Sequence, residues 1–156
     1  MMFRSAEPGD YDKIRQLVID TGWGKRVQDA DRFRRMMDGA DRTVVALDGA
    51  RVVGFARALF DDASNGYISM VAVASDRQSQ GIGRDLVKRL MDVEAPQQIT
   101  WVLRSAREST GFWEKMGFRN GQRMTAPKLR QQIELTIRER AGSKLRAGMI
   151  HPPGTQ

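Results

Sequence analysis

Val71-Ala72-Val73-Ala74-Ser75-Asp76-Arg77-Gln78-Ser79-Gln80-Gly81-Ile82-Gly83-Arg84-Asp85-Leu86-Val87 is the stretch on which the fold turns. A β-branched run enters a polar loop, then two glycines one residue apart, then an apolar spacing of helical type. Leu86, Val87, Leu90 and Met91 form a wide stripe on one helix face. Such a junction is an anion site. The first amides of a helix have no intrahelical acceptor, and the macrodipole places partial positive charge there. Glycine lets the main chain approach a phosphate without side-chain obstruction. The amides of Gly81, Ile82, Gly83 and Arg84 can therefore converge on a pyrophosphate, with Arg77 and Arg84 adding charge. The glycines alone also suit a tight strand-to-helix turn with no ligand.

Working outward, 43–47 reads as a strand, Asp48-Gly49 as a hairpin turn, 51–60 as the returning strand and 67–74 as the next. These three form a meander. Residues 2–6 suit a first strand. Pro8-Gly9-Asp10 opens a helix with Ile14, Leu17 and Val18 on one face. A second helix is expected over 29–38, capped by Asp29 or Asp31, with Phe33, Met36 and Met37 as its apolar side and Gly39 as its stop. After the glycine turn, Pro96 ends the helical region. Residues 99–103 read as a strand, 108–116 as a helix stopped by Gly117, and 118–124 as a further strand. Over 128–140 the alternation of Ile133, Leu135 and Ile137 suits a strand, whereas Leu129, Ile133 and Ile137 at spacing four suit a helix.

Composition narrows the chemistry. The chain has 156 residues, enough for one domain. It has no cysteine and a single histidine, His151, so thiolate and multi-histidine metal sites are excluded and no metal is expected. No apolar run reaches the ~18 residues of a membrane span, and the N-terminus lacks a signal-peptide apolar region. The expectation is a cytoplasmic protein that does not engage membranes. The formal charge is +7. Residues 119–156 hold eight basic and two acidic side chains, so the excess sits in the last quarter of the chain. Residues 141–156 read as a disordered basic tail after a domain at 1–140. That basic region is either a solvated tail or a surface for an anionic partner such as nucleic acid. A Walker loop is excluded because no Lys-Ser or Lys-Thr follows at the required spacing. A dinucleotide fold is disfavoured by the meander and by Leu86 where a third glycine would stand.

Gln78-x-x-Gly81-x-Gly83 resembles the Arg/Gln-x-x-Gly-x-Gly/Ala signature of the GNAT superfamily of N-acetyltransferases. Gly111-Phe112-Trp113-Glu114-Lys115-Met116-Gly117-Phe118 is similar to that family's Phe-Tyr-x-Lys-x-Gly-Phe helix end, in the expected order. The resemblance covers residues 2–118. It implies an α+β fold, with a mixed, mostly antiparallel sheet of about seven strands flanked by about four helices. Because that fold needs a strand there, 128–140 is expected as one.

The resemblance also implies an acyltransferase using acetyl-CoA as co-substrate, with a small-molecule or protein amine as acceptor. Val71, Ala72 and Val73 would bond the pantetheine arm like an added strand. Gln78, Ser79, Gln80, Gly81, Ile82, Gly83 and Arg84 would hold the pyrophosphate, with Ser109, Phe112 and Trp113 beside the arm. A neutral amine would attack the thioester directly, with the Val73 amide facing the developing oxyanion. The sequence departs from the pattern where acid and base usually stand. Trp113 replaces a tyrosine, and indole only donates hydrogen bonds. Ser69 and Met70 occupy the place of a common carboxylate, and Ala106 that of an asparagine. Ser69 can hold a water and Tyr67 can donate a proton, though both also fit structural roles. Trp23, between Gly22 and Gly24, is either a lid over the acceptor or a core residue. Two further readings stay open: an acyl-CoA-binding module without turnover, motivated by the missing acid and base, and an acetyltransferase acting on aminoacyl-tRNA, motivated by the basic C-terminal region. A homodimer is common among GNAT proteins.

Overall fold

The computed structural model describes residues 1–92, 99–119 and 124–148. Five strands, β1 (Met2–Arg4), β2 (Arg42–Asp48), β3 (Arg51–Phe60), β4 (Asn65–Val73) and β5 (Thr100–Leu103), form one sheet in the order β1-β2-β3-β4-β5. The first three pairings are antiparallel and β4–β5 is parallel. The α-helices are α1 (Tyr11–Val18), α2 (Ala30–Asp38), α3 (Ile82–Met91), α4 (Thr110–Lys115) and α5 (Ala126–Gly148). The described residues thus hold five strands and five helices, where about seven and about four were expected. The expected strand over 118–124 falls partly outside the described residues. Within them, Met124 makes one bridge, accepting the Trp101 amide at 2.7 Å.

The hydrophobic pattern places the helices. Ile14, Leu17 and Val18 of α1 are buried with Phe33 and Met37 of α2. Leu86, Val87, Leu90 and Met91 of α3 are buried on the other sheet face. Each such side chain contributes roughly 1.5–3 kcal/mol on leaving water. Gly54 admits α3: a Cβ there would come within 2.9 Å of Leu86 and 3.0 Å of Ile82. Asp29 caps α2, accepting the Arg32 amide at 2.9 Å.

Residues 128–140 are helical, and the strand expectation is corrected. Ala126, Leu129 and Ile133 are buried at spacings of three and four whereas Leu135 and Ile137 are exposed, so helical spacing governs packing as far as Ile133 and the alternation does not. Pro127 lies in the first turn, where its missing N–H costs nothing. The Gln-, Arg- and Glu-rich body that follows has high helix propensity. The helix crosses the 140/141 boundary and continues to Gly148.

Two features of β4 prepare an opening in the sheet. Arg57 pairs with Met70 and Ala58 with Ile68, so Ser69 is an extra, bulged residue. Pairing with β5 ends at Ile68–Leu103. Below that point the two parallel strands lock together through Gly66, over which the Trp101 ring sits. A Cβ at Gly66 would approach that ring to 2.5 Å, and Trp101 is itself buried against Phe60 at 5.6 Å between centroids. Gly66→Ala is therefore expected to cost about 1–3 kcal/mol by overpacking. Urea denaturation measures it, and an unchanged midpoint would show that the ring yields freely.

Candidate active site

Beyond the bulge, β4 stays paired with β3 on one side, and on its β5 side no strand pairs with it among the described residues. The Ala74 amide donates to the Val53 carbonyl at 2.9 Å, which makes Gly54 and Val73 a non-hydrogen-bonded pair. Val73 therefore turns its own N–H and C=O away from β3, and Val71 does the same two residues earlier. These groups face the open edge. The Gln78 side chain already donates to the Val73 carbonyl there, at 3.2 Å. Ala72, between them, pairs with Phe55 of β3.

The open edge leads into the glycine turn. Ser79 and Gly81 both have positive φ, 62° and 85°, and Gly81 is the N-cap of α3. Alternating left-handed residues ahead of a helix make a concave nest of amides, and only glycine takes that conformation at Gly81 without strain. Gly83 has a different reason. A Cβ there would lie 3.1 Å from the Phe112 ring, so the missing side chain lets α4 close onto α3. The two sequence motifs thereby meet in space.

Arg77 lines the same cavity as the turn, but its charge is shared with carboxylates outside it. Its guanidinium pairs with Asp48 at the β2–β3 hairpin and lies 3.7 Å from Asp76, which also pairs with Arg51 at 2.8 Å. Arg77 thus anchors the loop to the hairpin. Arg84 is the cation left beside the turn, 3.2 Å from Asp85.

Edge and turn open into one cavity of about 1450 Å³, larger than the ~300–1,000 Å³ usual for compact ligands. Val71, Ala72, Val73, Gln78, Ser79, Gly81, Ile82, Gly83, Arg84, Ser109, Phe112 and Trp113 all line it, as do Ser69 and Trp23. Gln80 does not, its amide group reaching back to the Asp76 carbonyl at 3.5 Å. Tyr67 does not line it either. Trp23 is half-buried against the core, with the Arg26 guanidinium 5.2 Å from its ring. It is therefore both a packed residue and a wall of the cavity. Trp113 is buried, edge-on to Phe112 at 4.8 Å and to Phe118 at 5.3 Å.

Ser69 has a partner no sequence pattern announces. Arg57 is buried, its Nε and Nη2 donating to the Met36 carbonyl at 3.0 and 2.8 Å and its Nη1 donating to Ser69 Oγ at 2.8 Å. Burial, followed by the charge of Arg26, holds the guanidinium below its ordinary value. Asp61 belongs to the β3–β4 turn. It accepts from the Ser64 hydroxyl and from the amides of Ala63, Ser64 and Asn65, which hold its carboxyl well below the usual range. Sequence reasoning also missed Ile133, Thr136 and Arg140, which α5 brings to the cavity wall. A strand there hides their common face. Among the described residues, no group of histidine, cysteine or carboxylate side chains is placed to hold a metal, and no helix is long and apolar enough to cross a membrane.

Residues 9–136 match the family model described as an acetyltransferase (GNAT) domain. Among solved structures, the chain is similar to a GNAT-family acetyltransferase from Streptococcus pneumoniae, at 24% identity and TM-score 0.60, covering 76% of this chain and 86% of that one. It is similar to an acetyltransferase from Trypanosoma brucei, at 24% identity and TM-score 0.58, over 80% and 96% of the two chains. A transcriptional regulator from Bacillus halodurans shares 21% identity at TM-score 0.63, over 78% and 94%. At these identities the likeness concerns the fold. No curated protein matches the sequence.

The nest at Ser79–Gly81 predicts a charge-specific effect at Gly83. Gly83→Glu is expected to abolish coenzyme A binding by calorimetry, by setting a carboxylate at the start of α3. Gly83→Ala is expected to retain measurable binding, since Phe112 need yield only slightly. Equal affinities in folded Gly83→Glu and wild-type protein would contradict the phosphate assignment.

Proposed function

The chain belongs to the GNAT acetyltransferase family, and on that footing we propose that it transfers the acetyl group of acetyl-CoA to a primary amine by direct attack. The observation that carries the reading is the confluence, in one cavity, of the unpaired β4 edge and the amide nest before α3. The residues present fit the co-substrate. The nest and the first α3 amides suit a pyrophosphate, and the outward carbonyl of Val71 and the outward amide of Val73 suit the amides of a pantetheine arm, the Val73 carbonyl being taken by Gln78. Bound there, acetyl-CoA supplies an activated acetyl thioester.

The chain's own contribution is positioning and charge stabilisation. Holding donor and acceptor side by side replaces a bimolecular encounter, which carries much of the rate in such reactions. The Val71 amide, directed into the cavity two residues beyond the bulged Ser69, is the main-chain donor for the charge developing on the carbonyl oxygen, in place of the Val73 amide, which faces the pantetheine arm. Ser69 is a poor base, because its oxygen accepts from the buried Arg57 cation. It is suited to donate. Glu108, in the approach to α4, is the one carboxylate among the described lining residues. As the C–N bond forms and the C–S bond breaks, the amine proton leaves to water through the open cavity and the coenzyme A thiolate leaves with the pantetheine arm, to be protonated by solvent. Trp113 packs and carries no proton.

Release of free thiol from acetyl-CoA with a broad panel of primary amines tests the reading. Amine-dependent thiol release is the expected result, and tight acetyl-CoA binding with a silent panel would favour a binding module. Trp113→Phe is expected to lower kcat/KM less than ~10-fold, about 1.4 kcal/mol. A loss above ~100-fold, about 2.7 kcal/mol, would assign the indole a direct role.

A further inference from the structure

The cavity is one-sided in charge. Eight basic side chains line it against the single carboxylate of Glu108, among the described residues. Some face the pyrophosphate turn, but Lys25 and Arg26 do not belong to that end. They lie in the connection between α1 and α2, where Arg26 is close enough to disfavour the charge of Arg57 behind Ser69. Ser69 precedes Val71 by two residues, roughly 7 Å along an extended strand and within the span of a small amine, whereas the nest lies farther on, beyond Val73.

Arg57 adds a buried charge behind that end. It is 7% exposed, and no carboxylate lies within ion-pair distance of it, or of Lys25 or Arg26, among the described residues. Buried cations are ordinarily paired. Here the guanidinium is held by a carbonyl and a hydroxyl, and that hydroxyl lines the cavity. Arg57 positions and polarises Ser69, whose O–H makes only a long contact, 3.4 Å, to the Arg57 carbonyl and can turn from it to a ligand in the cavity. The Trp23 ring, beneath the Arg26 guanidinium, restricts where that cation can point.

Resting on the acetyl-transfer reading, we infer that the acceptor is a small amine bearing a carboxylate or phosphate, and that Lys25, Arg26 and the Ser69 hydroxyl hold this anion at the bulge end of the cavity. Charge-assisted hydrogen bonds to such a group are the strong class. The anion also compensates the unpaired cations around it, which a neutral amine leaves uncompensated. The preference is expected to weaken with salt, because Lys25 and Arg26 are solvent-exposed.

The test compares matched acceptors: 4-aminobutyrate against 4-aminobutanol, α-amino acids against their carboxamides, and phosphoethanolamine against ethanolamine. The first two pairs and the third distinguish carboxylate from phosphate. The anionic member of at least one pair is expected to be favoured in kcat/KM by about 10-fold or more. Lys25→Glu with Arg26→Glu should abolish or invert that ratio, Ser69→Ala should lower it, and acetyl-CoA affinity should be unchanged in each. The ratio is the informative readout, since a purely structural defect lowers both members together. Equal or better use of every neutral member, survival of the ratio in the double variant, or no binding or turnover of any anionic member by acetyl-CoA-loaded protein would overturn the inference and leave the transfer reading intact. Absence of acetyl-CoA binding in folded wild-type protein would overturn both.

Discussion

The site depends on two neighbouring strands that part company. β4 and β5 are paired through Ile68 and Leu103 and then separate, with the bulged Ser69 as the first β4 residue beyond the last pair. Main-chain groups inside a sheet are normally satisfied by their neighbours. Here those of Val71 and the Val73 amide face open space, with the Val73 carbonyl met by the Gln78 side chain, so β4 has an open edge inside the sheet among the described residues. The groups along that edge have a fixed direction and spacing. The cost of the edge is offset by the tight junction just before it, where Trp101 lies on Gly66.

The rest of the chain aims at that edge. The loop after β4 is anchored to the β2–β3 hairpin by Arg77 with Asp48 and by Arg51 with Asp76, so the nest before α3 has a fixed position relative to the strand. Gly83 brings Phe112 onto α3, and α4 and α5 close one wall. The α1–α2 connection closes the other with Trp23 and Arg26. Each wall is held by ordinary core packing, and each contributes a different chemistry: main-chain amides at the nest, an apolar flank from Phe112 and Trp113, and the cations of the α1–α2 connection.

Much of this was legible in the residues. The glycine turn could be read because it needs residue types with few substitutes, above all a left-handed residue at Gly81. The meander and the faces of α1, α2 and α3 followed from periodicity. Residues 128–140 misled because Ile133 and Ile137 belong both to an alternation through Leu135 and to a spacing of four through Leu129, and burial, which decides between them, is a property of the packed chain. The Arg57–Ser69 contact was invisible for a related reason. It depends on a register irregularity between β3 and β4 that alternating patterns do not reveal. Arg77 stood beside the glycines in sequence, yet its charge is engaged by Asp48. Proximity along the chain is a poor guide to where a long side chain ends.

Amide hydrogen exchange, residue by residue, with and without acetyl-CoA, is the most direct test of the opened strand as a ligand edge. The amides of Val71, Val73, Ile82 and Gly83 are expected to gain protection together, while those of Ala72 and Ala74, already committed to β3, change little. Saturating acetyl-CoA that leaves the exchange of Val71 and Val73 as in the free protein would contradict this, because the opened strand edge would then have no ligand to receive.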